Sequence, residues 1–235
     1  MFKISNLFIC AAAFVSSSII AADTGSKDDL IKAAKVLSEK ENYSWRTTVT
    51  VPADAQFRPG PTEGKTEKNG ATCLKMSFND NTTEAFIKGK GVAIKGEDGG
   101  WQSASEMENE EGRGRFMARR MRDFKAPAEQ AEEIAKEVKD LKKDGDTYSG
   151  DLTEEGAKNL MRFRRGGDGP QISGAKGSAK FWVKDGVLSK FEYKVKGSMN
   201  FNGNDIDVDR TTTTEIKDVG STKVTVPEGA QKKLS

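Results

Sequence analysis

The sequence predicts an α+β protein built on antiparallel strands. Apolar and polar residues alternate in about nine short segments, the period of strands with one buried face. Turn pairs such as Asn69-Gly70, Asp185-Gly186 and Asn202-Gly203 separate several of them. Helical spacing is confined to the start and the middle of the chain, the segregation expected of this class.

Composition narrows the function classes. Of 235 residues, 35% are hydrophobic, and 24 glycines bring the apolar share close to the globular range of about 45–50%. A packed core is therefore within reach. Lys plus Arg total 38 against 36 Asp plus Glu, so there is no overall field to attract nucleic acid. With no histidine, a His-based triad, a His metal site and a His proton switch are all excluded.

Residues 1–22 read as a secretory signal peptide. Lys3 gives the positive start, residues 7–15 (LFICAAAFV) form a short apolar run, and Ala21-Ala22 offer small residues for cleavage. Cys10 does not read as a lipidation site, since the bulky Ile9 precedes it and the apolar run continues beyond it. Cleavage leaves residues 23–235, a single α+β domain with Cys73 as its one thiol and no internal disulfide. An exported chain of this kind suits the periplasm or secretion.

Ser26 and the acids Asp28 and Asp29 suit the start of a helix, and Leu30, Ala33, Ala34 and Leu37 give it one apolar face. Tyr43, Trp45, Thr47, Val49 and Val51 then alternate as a strand, and Pro52, Pro59, Gly60 and Pro61 mark a loop. A meander over residues 62–101 follows, with Thr72, Leu74, Met76 and Phe78 on one strand. Ala85-Phe86-Ile87 and Val92-Ala93-Ile94 make two more. A charged helical insert is expected at about 102–145. It holds a helix over residues 105–122, then one from Pro127 through Ile134, Val138 and Leu141, stopped by Gly145. A brief strand at residues 148–152 leads to a helix through Leu160 and Phe163. The last third is β again, through Phe181, Val187, Phe191, Tyr193 and Val195, then Ile206 to Ile216, with residues 224–227 ending the sheet.

Few constellations carry chemistry. No nucleophile–base pair, P-loop or dinucleotide fingerprint is present, which points away from an enzyme and from a cofactor. Asp205, Asp207 and Asp209 share one strand face, yet they lack calcium-loop spacing and read as a charged outer surface, so no metal site is assigned. Residues 113–122 (RGRFMARRMR) hold Arg113, Arg115, Arg119, Arg120 and Arg122 without an acid. They could contact an anionic membrane surface or an envelope protein, or simply balance Glu106, Glu108, Glu110 and Glu111 before them and Glu129, Glu132 and Glu133 after them.

Several stretches together resemble a known family. They are residues 43–51, 84–101 (EAFIKGKGVAIKGEDGGW), 148–160 (YSGDLTEEGAKNL) and 181–193 (FWVKDGVLSKFEY). Their order is similar to that of the lipoprotein-carrier (LolA-like) superfamily. The resemblance implies a curved antiparallel sheet, a half-barrel, wrapped around helices, with an apolar cavity for acyl chains. On that reading Trp45, Val49, Phe191, Tyr193 and Val195 face a lipid or other hydrophobic small molecule. If the helices fill the concave face completely, the chain is instead an envelope interaction module.

Overall fold

The computed structural model describes residues 24–55, 58–78, 81–96, 98–109, 113–162, 170–201 and 203–234. Residues 1–22 with Cys10, as well as Phe163, lie outside them. The chain opens with α1 (Thr24–Ser38), whose Leu30, Ala33, Ala34 and Leu37 are buried as the spacing predicts. A first meander follows: β1 (Asn42–Thr50), β2 (Thr62–Glu67), β3 (Thr72–Phe78), β4 (Asn81–Lys88), β5 (Gly91–Lys95) and β6 (Trp101–Ser103). Asn69, with φ of 60°, turns β2 into β3.

The middle holds α2 (Ala104–Glu108), α3 (Arg113–Arg122) and α4 (Pro127–Lys136). Two helices thus stand where one was expected over residues 105–122. A capping box starts α2: Glu106 N donates to Ser103 Oγ, and Ser103 N donates to Glu106 Oε2. The second meander is β7 (Val138–Asp144), β8 (Thr147–Leu152), α5 (Glu154–Met161), and the long strands β9 (Gln171–Lys184), β10 (Val187–Phe201) and β11 (Asn204–Lys217).

All eleven strands form one antiparallel sheet, in the order β6-β5-β4-β3-β2-β1-β11-β10-β9-β8-β7. The sheet is curved and unclosed, a half-barrel wrapped around helices, as expected. Helices α1 and α5 pack on the concave side against β9 and β10, and α4 packs on α1. Lys27 Nζ ties the start of α1 to the end of α4 by donating to the carbonyls of Lys136 and Val138.

Three expectations are corrected. The helix from Pro127 stops at Lys136, and Val138 and Leu141 lie on β7. Pairing with β8 slips between Lys139 and Lys142, where Asp140 takes φ of 45°. This bulge turns both Val138 and Leu141 inward at a spacing of three, which reads as helical in sequence. Gly145, at φ of 56°, is then a hairpin turn and not a helix stop. A second bulge, between Leu188 and Lys190, places Leu188 inside with Phe191 and leaves Val187 half-buried.

The third correction concerns the C-terminus. The sheet ends at Lys217, and residues 224–227 form no strand. Val224 and Val226 instead pack with Cys73, Phe86, Ala93, Trp101 and Leu234 on the outer face, where α6 (Glu228–Gln231) buries Ala230. Side chains hold this strap: Asn42 Oδ1 accepts from Thr222 N, and Glu67 Oε1 accepts from Val224 N.

Candidate functional site

Burial falls along three elements. On β11 the inward residues alternate from Thr214 and Thr212, both buried, through Arg210 and Val208, half-buried, to Ile206, 48% exposed. On β1 the series runs from buried Tyr43 and Trp45 to half-buried Thr47 and Val49. Register joins the two strands, with Trp45 opposite Ile216, Thr47 opposite Thr214 and Val49 opposite Thr212. Thr47 and Thr214 also share a hydrogen bond of 2.8 Å.

The third element is α3. Ala118 and Met121 are buried, so they fix its inward face. One flank carries Phe116 and Arg120 at i and i+4, with Phe124 a further turn on. Phe124, half-buried, stacks on Trp45 at 6.2 Å between ring centres. Two turns earlier, Phe116 is 44% exposed. Val49, Val208 and Ile206 thus lie on the less buried stretch of inward positions on β1 and β11, and Phe116 lies on the exposed end of α3.

Electrostatics separates Arg120 from its neighbours. It remains open to solvent, yet the surrounding protein desolvates its guanidinium and lowers its pKa; Arg210 pushes the same way, and Tyr193 opposes them. Arg210 Nη2 donates to the Leu160 carbonyl at the end of α5, at 2.5 Å. Arg122 is paired with Glu108 at 2.7 Å, and Arg115 Nε donates to the Glu108 carbonyl. The acids expected to balance the arginines are mostly taken by lysines. Lys125 holds Glu129 and Glu133, Lys136 holds Glu132, and Lys233 holds Glu106. Of Arg113 only the backbone, at the start of α3, is described.

The residues expected to face a ligand differ in burial. Trp45, Phe191 and Val195 are enclosed in the packed core, Tyr193 is buried at its margin, and Val49 is half-buried. The sequence alone does not single out Ile206 or Val208 as ligand contacts. Asp209 is paired with Lys196 at 2.7 Å and lies within 3.8 Å of Lys194 on the convex side, while Asp205 accepts from Asn200 Nδ2. Cys73 is half-buried on the convex face, where burial and then Glu84 push its thiol up to about 11.

Two hollows of about 330 Å³ lie on the surface. One, beside α2, is lined by Lys90, Ser103, Glu106, Arg122 and Lys233, whose Arg122 and Lys233 are neutralised by glutamates. The other is an apolar dish around Val187, Leu188, Ile216 and Val219, rimmed by Lys40 and Lys184. Among the described residues, no helix is long and apolar enough to cross a membrane.

No family model matches the chain, and no curated protein matches it either. Solved structures do. Lipoprotein LppX of Mycobacterium tuberculosis is 13% identical, with a TM-score of 0.49 over 86% of this chain and 98% of that one. LprF of Mycobacterium bovis is 12% identical, with a TM-score of 0.47 over 88% and 97%. A LolA superfamily protein of Nitrosomonas europaea is 7% identical, with a TM-score of 0.35 over 85% and 94%. The likeness lies in the arrangement of elements.

Proposed function

We propose that this chain is an exported, non-enzymatic binding protein that holds an acyl chain or similar apolar ligand non-covalently in the open end of its half-barrel. The observation that carries this reading is the fall in burial along β1, β11 and α3. It leaves Ile206 and Phe116, two large apolar side chains, exposed. Surfaces of this kind are the usual material of small-ligand sites. Val49 and Tyr193 form the floor in this reading, and Trp45, Phe191 and Val195 support it from the packed end. Residues 1–22 direct export to the periplasm or beyond, and Arg113, Arg115, Arg119 and Arg122 meet an anionic membrane during loading.

The packed end favours a second reading. Phe181, Leu188, Phe191 and Val195 are fully buried, as in an interaction module with a filled core. Native mass spectrometry of protein purified from an envelope fraction separates the two. A lipid adduct is expected on the wild type and is lost in Ile206→Trp and Val208→Trp, whose thermal midpoints stay near that of the wild type. A bare wild-type mass, with no binding of added fatty acids, would refute the carrier reading.

A further inference from the structure

The end of α5 marks where cover over the inner face of the sheet stops. Gly197 on β10 pairs with Val208 on β11, and Met199 on β10 pairs with Ile172 on β9 and Ile206 on β11. Paired residues share one face of a sheet, so Gly197, Met199, Val208 and Ile206 form an inner-face square. Across it burial changes between neighbouring strands: Met199 is 4% exposed and Ile206 is 48% exposed. Helix α5 packs on β9 and β10, and its last residue, Met161, reaches this square. The tip of Met161 lies on Gly197, where an added Cβ would sit 2.9 Å from Cε and 3.1 Å from Sδ. Glycine inside a strand marks such close approaches. Cross-strand neighbours stand about 4.5–5.5 Å apart at Cβ, so the Met161 thioether borders half-buried Val208.

Resting on the acyl-chain reading above, we propose that Met161 is the specificity-determining residue of that site, a side-chain stop that sets how long a tail the inner face accepts. A tail lying along Ile206 and Val208 meets the Met161 thioether at its inner end. The main chain behind this stop is fixed. Arg210, the next inward residue on β11, donates through Nη2 to the Leu160 carbonyl at 2.5 Å. In the last turn of α5, Arg162 Nη1 donates to Asn159 Oδ1 at 3.0 Å and to Glu155 Oε1 at 3.2 Å. The side chain of Met161 is the part that yields, because it is unbranched, turns about three bonds and fits irregular gaps. Truncating it removes Cγ, Sδ and Cε, and the bare backbone of Gly197 beneath then lies open to the tail.

The test titrates the full chain calorimetrically with the saturated fatty acids from octanoate to stearate, below their micellar concentrations. Each methylene withdrawn from water multiplies affinity about fourfold, so affinity should climb with tail length and level off where the tail reaches Met161. Met161→Ala moves that levelling-off about two carbons longer and strengthens binding of the longest tails about tenfold or more. Met161→Leu, which refills the volume, keeps the wild-type length, and so does Met76→Ala on β3, beyond β2, β1 and β11. The same levelling-off in Met161→Ala as in the wild type overturns the inference and leaves the acyl-chain reading standing. Methyl-labelled methionine reads the contact in the unaltered protein, whatever the stability of the variants. Saturating palmitate should shift the Met161 methyl resonance and leave that of Met76 in place; a Met161 resonance that does not move also overturns the inference. Failure to bind any fatty acid overturns the acyl-chain reading itself, and the inference with it.

Discussion

Gly64→Ala tests the anchoring of α3 through a single methyl group. Gly64 on β2 lies opposite Trp45 on β1, and the indole covers it so closely that an added Cβ would fall onto the ring atoms Cζ2 and Cε2. The ring has no free direction of retreat, because Phe124 stacks on it and Tyr43 lies 5.7 Å away on the same strand. Overpacking of a core site costs about 1–3 kcal/mol. Disturbing the Trp45–Phe124 pair adds about 0.5–1.5 kcal/mol. A total of about 2–4 kcal/mol lowers the thermal midpoint by roughly 5–15 °C in a chain of this size. Thermal denaturation followed by near-ultraviolet circular dichroism reads the change, and Gly64→Ala combined with Trp45→Phe should recover part of the loss. A midpoint within about 2 °C of wild type for Gly64→Ala alone would refute the reasoning.

Other outcomes follow from burial and charge. Val195→Trp places a large ring at a fully buried site opposite Gly177 and Arg210, so it should destabilise by about 1–3 kcal/mol in urea titrations, whereas Ile206→Trp at an exposed site should change stability little. The Cys73 thiol, pushed up to about 11, stays protonated at pH 8; its alkylation rate should climb through pH 10, and a plateau near pH 9 would contradict this. Glu106 is held at about 2, chiefly by Lys233 and then by the Ser103 backbone. A depressed carboxylate contributes stability above its unfolded value near ~4.3 and loses it as pH falls towards about 2, so this tie should survive pH 4. Carboxyl NMR should give a midpoint near 2 in the wild type and a higher one in Lys233→Ala; a wild-type midpoint near ~4.3 would contradict it.

Local chemistry was legible wherever it acted locally. Asn69-Gly70 and Asp185-Gly186 specify hairpins through the backbone angles they tolerate, and both hairpins are present. The Leu30–Leu37 face and the Trp45 alternation likewise follow from one period each. Bulges defeat such counting. At Asp140 and at Leu188 one extra residue changes which side chains share a face, and nothing in the spacing of Val138 and Leu141 announces it. The fall in burial was hidden for another reason: β1 and β11 are far apart in sequence, and their inward positions can be compared only once the register of β1 on β11 is set. Gly64 belongs to the same class, as its meaning comes from an indole on another strand. Arg120 could not be told from Arg119 by composition, because a helix separates adjacent residues by about 100°.

The sheet is bounded by β6, three residues long, and by β7, which is bulged and carries Lys139, Lys142 and Lys143. Short, kinked and lysine-rich borders resist pairing with another chain. They also leave the girth of the molecule unset. A closed barrel fixes its radius through strand number and stagger; this one has no such condition to satisfy. Its curl can tighten or relax with every ladder bond intact, so its width is dictated by the helices lodged inside. Sliding those helices would change that width, with α3 pinned by the Phe124–Trp45 stack and its Phe116 end the first to yield.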